Sequence, residues 1–130
     1  LLRREQKYAN PGFDFYWEAA GRRGFVEVKG VTLEENGVVR FPDAPTLRGV
    51  KHLEELAAAH RDGYEAAVCF VVQMEGVRWF EPNDKTHPQF GQTLRQAVQA
   101  GVQVMALECA VKPDWLKITG PVKVWLGQEN

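Results

Sequence analysis

Three side chains in the first third of the chain have types and spacing that could do chemistry together. Asp14 is a lone carboxylate among apolar and aromatic residues, Phe13-Asp14-Phe15-Tyr16-Trp17, and Glu27 and Lys29 interrupt the oily run Gly24-Phe25-Val26-Glu27-Val28-Lys29-Gly30-Val31-Thr32. Side chains alternate along a strand, so Phe25, Glu27 and Lys29 share one face and Val26 and Val28 take the other. Taken alone, the Glu-x-Lys pair reads first as a solvated face with an ion pair worth at most about 1 kcal/mol. Asp14 changes that reading, because a hairpin between its strand and the next would set a second carboxylate beside Glu27. Two adjacent carboxylates repel unless a cation lies between them. A hard ion such as Mg²⁺ takes one or two carboxylates and leaves water and phosphate to complete its shell. A lysine next to such an ion could orient or help deprotonate an attacking water, or stabilise charge growing on a phosphate. Asp followed by Glu-x-Lys is therefore a set suited to cutting a phosphodiester.

The elements that must position these residues can be read from punctuation and periodicity. A charged run predicts a helix over 1–8, stopped by Asn10-Pro11-Gly12. Strands follow over 13–18, over 25–32 after the basic turn Gly21-Arg22-Arg23-Gly24, and over 38–41 after the hairpin signal Glu35-Asn36-Gly37. Thr46 is a plausible N-cap for a helix whose apolar stripe is Leu47, Val50, Leu53 and Ala57 and which ends near Asp62-Gly63. The nearly continuous apolar run over 66–73 reads as a central strand covered on both sides. Next come a loop holding Pro82 and Pro88, a helix over about 89–100 with Phe90, Leu94, Ala97 and Val98 inward, a buried strand over 102–111, and a short hairpin through Gly120-Pro121. An initial meander followed by alternating helices and strands predicts an α/β sandwich, a mixed β-sheet flanked by helices.

The 130 residues suit one domain, and a net charge of −1 means that any contact with nucleic acid must come from a local basic patch. Cys69 and Cys109 lie in apolar runs without metal-type spacing and are expected to be buried thiols in a reducing compartment. No apolar run is long enough to span a membrane and no signal peptide is visible, so no membrane partner is expected and the expected compartment is the cytoplasm. Leu1 stands first with no Met, which predicts that the chain is part of a longer protein with an upstream domain.

Asp14, then Val26-Glu27-Val28-Lys29, resembles the Asp…Glu-x-Lys signature of the PD-(D/E)XK, or restriction-endonuclease-like, nuclease fold. More closely, VEVKGVTL, the string FPDAPTLRGVKHLEEL over 41–56, and FVVQ resemble the sugar fermentation stimulation protein (SfsA) family, over about 5–111. The resemblance implies a three-layer restriction-endonuclease-like sandwich, here the second domain of a protein whose first part is a small OB-type domain. It implies a DNA-binding protein tied to regulation of sugar, especially maltose, metabolism. It also implies a divalent cation, Mg²⁺ or Mn²⁺, held by Asp14, Glu27 and the backbone carbonyl of Val28, with Lys29 as the catalytic lysine and Glu5 as an additional carboxylate. Where the family has Ser-Arg before its apolar-Asp pair this chain has Pro11-Gly12, and where it commonly has an Asp before the last helix this chain has His87. The leading function is metal-dependent hydrolysis of phosphodiester bonds in DNA. The alternative is a catalytically inactive nuclease-fold domain that binds DNA or a protein in gene regulation.

Other residues carry two readings each. Arg48, Lys51, His52 and Glu55 fall at i, i+3, i+4 and i+7, either as a solvated helix face or as a row facing the site, with Arg48, Lys51 and His52 contacting DNA and His52 also relaying a proton or orienting a neighbour. Gln73 either caps the sheet edge or points into the site. Asp43 is a turn former or a partner of the site, while His60 and His87 are expected at the surface. Arg22 and Arg23 in the turn either touch a nucleic-acid backbone or, the commoner case, only solubilise the chain. The tryptophans Trp17, Trp79, Trp115 and Trp125 read as core or rim residues rather than base-stacking platforms, and in the tail Trp115 and Trp125 either cover the sheet or mark a dimer contact, which leaves a homo-oligomer open.

Overall fold

The computed structural model describes residues 13–127 and, as backbone only, the strand Leu2–Arg4. In chain order the strands are β1 (Leu2–Arg4), β2 (Phe15–Ala19), β3 (Arg22–Val31), β4 (Leu33–Glu35), β5 (Val38–Phe41), β6 (Glu65–Val72), β7 (Trp79–Pro82), β8 (Gln103–Lys112) and β9 (Trp115–Val122). Helix α1 (Leu47–Arg61) lies between β5 and β6, and α2 (Pro88–Gln99) between β7 and β8. A six-stranded sheet has the order β1-β2-β3-β6-β8-β9, and β4, β5 and β7 form a second sheet of three strands. The centre of the large sheet, β3-β6-β8, is parallel and its margins are antiparallel. This is the expected α/β architecture, mixed sheets flanked by two helices.

Each parallel step needs a crossover, and the helices supply it. On β6 the side chains of Ala66, Val68, Phe70 and Val72 enter one cluster with Phe25 and Val31 of β3, Leu53 and Leu56 of α1, and Phe90 and Leu94 of α2. Phe70 is its hub, stacked on Phe80 at 4.3 Å between ring centroids and meeting Phe41 at 5.6 Å. Leu53 and Leu56 are fully buried, each worth about 1.5–3 kcal/mol relative to exposure, so docking of α1 over β3 and β6 is strongly specified. Cys69 and Cys109 are buried and unbridged, as expected.

Several expectations are corrected. Leu2–Arg4 is a strand pairing with β2, not the start of a helix: edge pairing overrides a charged, helix-favouring composition. Residues 5–12, with Glu5 and the Pro11-Gly12 stop, lie outside the described residues. The expected loop at Pro82 contains β7, whose buried Phe80 anchors it against β5 and the core. Gly120-Pro121 makes no hairpin; the turn is at Pro113-Asp114, and β9 runs through Pro121 because an edge strand tolerates a residue with no N–H to donate. Leu47 is 74% exposed rather than inward, since the first helical residue projects beyond the sheet. Phe70→Ala should lower unfolding free energy by about 3–5 kcal/mol in urea titration, because it removes the ring on which three other phenylalanines pack.

Candidate active site

The β2–β3 register pairs Phe15 with Val26, so the next position outward sets Asp14 opposite Glu27. Asp14 stands just before β2, and its Oδ2 accepts the Val28 N–H at 2.8 Å, replacing the carbonyl that a longer β2 would have offered. The N–H and C=O of one strand residue project to the same edge, so the Val28 carbonyl also points to the Asp14 side, away from β6.

Period two then puts Phe25, Glu27, Lys29 and Val31 on the face beneath α1. Glu27 is 4% exposed and pairs across β6 with Val68, and Lys29 pairs with Phe70. This is not a solvated face. Lys29 Nζ lies 3.3 Å from Glu27 Oε2. A third group comes from α1: His52 Nδ1 lies 2.9 Å from Lys29 Nζ and 3.0 Å from Glu27 Oε2. Burial pushes the Glu27 carboxyl pKa up, Lys29 pulls it back down, and the Asp14 charge raises it further. Burial pushes His52 down to about 4, helped by the positive charges of Lys29 and then Arg48.

Among the described residues, the buried Glu27 Oε1 has no hydrogen-bond partner. The other described buried side-chain polar atom in that state is Glu55 Oε1, one turn along α1 from His52, and burial raises the Glu55 pKa too. Among the described residues no group of three or more His, Cys, Asp and Glu side chains is arranged to hold a metal ion. The residues that could hold one are the carboxylates of Asp14 and Glu27 with the Val28 carbonyl, a hard-oxygen set that leaves most of a cation's shell to water and phosphate.

The structure thus brings Asp14, Glu27, Val28, Lys29 and His52 together. Arg48 and Lys51 are exposed on α1, outside this cluster. Gln73 is exposed just past β6, its N–H bonding Val31 O at 3.1 Å, and its side-chain amide lies over Gly30, where a Cβ would come within 2.9 Å of Nε2. Asp43 is exposed in a bend. Of the row given two readings, His52 is buried and faces the site, while Arg48 and Lys51 stay exposed. The signal was present, because Gly49, His52, Leu53 and Leu56 are themselves spaced i, i+3, i+4 and i+7 and are all buried, with Gly49 allowing Phe90 to approach closely. His87, also expected at the surface, is buried; its Nδ1 accepts the Thr46 N–H at 3.1 Å, and Thr46 Oγ1 in turn caps Gly49 N at 3.0 Å. His60 is half-buried against the Tyr64 carbonyl.

A family model described as "Sugar fermentation stimulation protein RE domain" matches residues 1–115. A curated relative from Clostridium beijerinckii, named "Sugar fermentation stimulation protein homolog", is 52% identical over 97% of this chain and 56% of its own length. A homolog of the same name from Desulfitobacterium hafniense (strain DSM 10664 / DCB-2) is 57% identical over 87% of this chain and 50% of its own length. The chain therefore spans about half the length of the curated relatives it matches. A solved structure described as "The structure of Pyrococcus Furiosus SfsA in complex with Ca2+" matches with a TM-score of 0.87 at 30% identity, covering 95% of this chain and 54% of that one. Among the described residues no helix is long and apolar enough to cross a membrane.

The lowered His52 pKa has a stability consequence of definite sign. Between about 4 and 6.5 the unfolded ring binds a proton that the folded ring does not, so this contribution is present above 6.5 and is lost as pH falls towards 4. Urea unfolding across that window should show the wild type losing more stability than His52→Asn, which has no ring to titrate.

Proposed function

Because the chain belongs to the sugar fermentation stimulation protein family, we propose that it carries a DNA-directed, metal-dependent phosphodiesterase site built on Asp14, Glu27 and Lys29. The observation that carries this reading is the buried Oε1 of Glu27, without a partner among the described residues, beside a second carboxylate. A folded chain that leaves such an oxygen unsatisfied has a place prepared for a donor or a cation. The Ca²⁺ with which the Pyrococcus furiosus protein is complexed supports the choice of a hard divalent ion. Mg²⁺ or Mn²⁺ held by Asp14, Glu27 and the Val28 carbonyl would polarise a phosphate and acidify a bound water.

The chain's own groups supply the remainder. Lys29, held 3.3 Å from Glu27 Oε2, presents a fixed cation for an attacking water or a phosphate oxygen. Arg48 and Lys51, exposed on the helix that carries His52, offer positive charge to the DNA backbone and make binding salt-dependent without sequence preference. A role in regulating sugar use belongs to the same proposal and is supported by the relatives' names. A non-cutting DNA- or protein-binding domain is the second reading, favoured by the net charge of −1 and by the engagement of Asp14 Oδ2 with the Val28 N–H.

Calorimetric titration with Mn²⁺ and Mg²⁺, alongside cleavage assays on single-stranded and duplex DNA, separates the two. The wild type should bind the cation and cut, chelator should stop the cutting, and Glu27→Gln should lose at least about tenfold in cation affinity with cleavage falling further. A wild type that neither binds either cation nor cuts either DNA form would sink the enzymatic reading.

A further inference from the structure

The Asp…Glu-x-Lys residues come from β2 and β3, yet the shortest contact made by the lysine is to a residue 23 positions away on α1. Three atoms, Lys29 Nζ, His52 Nδ1 and Glu27 Oε2, lie at mutual distances of 2.9, 3.0 and 3.3 Å. An ammonium only donates, a carboxylate only accepts, and Nδ1 does either according to tautomer. With a proton on Nδ1, two donors would face each other at 2.9 Å in a buried setting. With Nδ1 bare, the ammonium lies between two acceptors, donates to both, and screens the 3.0 Å approach of ring nitrogen to carboxylate oxygen. The second arrangement satisfies every group in the triangle.

We propose that His52 is the positioning residue for Lys29: its bare Nδ1 accepts a hydrogen bond from Nζ and pins the ammonium against Glu27 Oε2. The consequence for cleavage rests on the nuclease reading above, but the positioning itself does not. A lysine carries a long flexible stem and loses rotamer freedom when one atom is fixed, so a lone 3.3 Å ion pair is a weak restraint. A second acceptor from a packed helix converts it into a fixed cation. Fixing the ammonium on Oε2 also sets the plane of the Glu27 carboxylate, so that Oε1, without a partner among the described residues, is turned in one direction. Docking of α1, rather than β3 alone, then decides where both Lys29 and Oε1 point.

Nitrogen NMR of the imidazole in the wild-type protein reads the tautomer directly: a bare Nδ1 with the proton on Nε2 is expected, and a protonated Nδ1 at neutral pH overturns the proposal. Amine acylation followed by peptide mass spectrometry reads the restraint. In His52→Leu, Lys29 should be labelled about tenfold faster or more relative to the exposed Lys51 and Lys117, while His52→Asn, which keeps an acceptor, should stay near wild type. Unchanged Lys29 labelling in a Leu variant that melts cooperatively also overturns it; if that variant does not fold, the NMR and the Asn variant decide. In cleavage assays kcat should fall in His52→Leu with KM unchanged and return in His52→Asn. A wild type that does not cut DNA would refute the nuclease reading and leave the tautomer and labelling results to judge His52.

Discussion

A carboxylate buried in the middle of a sheet is the constraint around which this chain is arranged. Glu27 sits on a central strand between β2 and β6 and under α1, where it is only 4% exposed. Removing an ion from water costs several kcal/mol, so such a group persists only with compensating partners. Lys29 shares its strand face and satisfies one oxygen, and His52 comes down from the helix against the lysine. The other has no partner among the described residues. Folding alone gives no reason to keep that arrangement, because a neutral residue of similar shape would pack there at lower cost. The cation binding proposed above would give one.

Local chemistry made much of this legible in advance. Period two placed Glu27 and Lys29 on one face, and a hairpin turn near Gly21 placed Asp14 within reach, although the turn is Ala20-Gly21 and Arg22, Arg23 and Gly24, expected in it, begin β3. Periodicity could not say which face was buried, since that depends on α1 packing back over β6, next to β3, after an intervening β4–β5 hairpin. The two readings of His52 stayed open for the same reason: a helical wheel that begins its stripe at Leu47 turns the histidine outward, whereas a stripe beginning at Gly49 turns it in. β7 and the course of β9 were missed because proline reads as a break, and only the sheet context reveals strand positions where its missing N–H does no harm.

Charge is distributed to match this reading. The net charge is −1, and two of the arginines that could have formed a cationic surface are already engaged, Arg22 with Glu65 at 3.0 Å and Arg23 over the Tyr64 ring at 4.4 Å. Arg48 and Lys51 are exposed on the first turns of α1, and both depress the His52 pKa. One short segment therefore supplies the surface charge and the buried imidazole. The chain spans about half the length of its curated relatives, so the affinity of a whole protein need not be confined to that segment.

The bond between His87 and Thr46 lies away from this chemistry and still bears on it. His87, at the start of α2, accepts the backbone N–H of the residue that caps α1, and the Arg95 guanidinium of α2 ties back to Asp84 at 2.7 Å and to the Leu126 carbonyl at 2.6 Å. The amino-terminal ends of both helices and the last described segment thus form one hydrogen-bonded frame. In such a frame local opening is shared, and fraying at α2 removes the anchor of the turn that precedes His52. Amide exchange protection at Gly49 and Val50 would then rise and fall with that at Phe90 and Gly91, so the geometry around Lys29 is a collective property of two helices and not a local one.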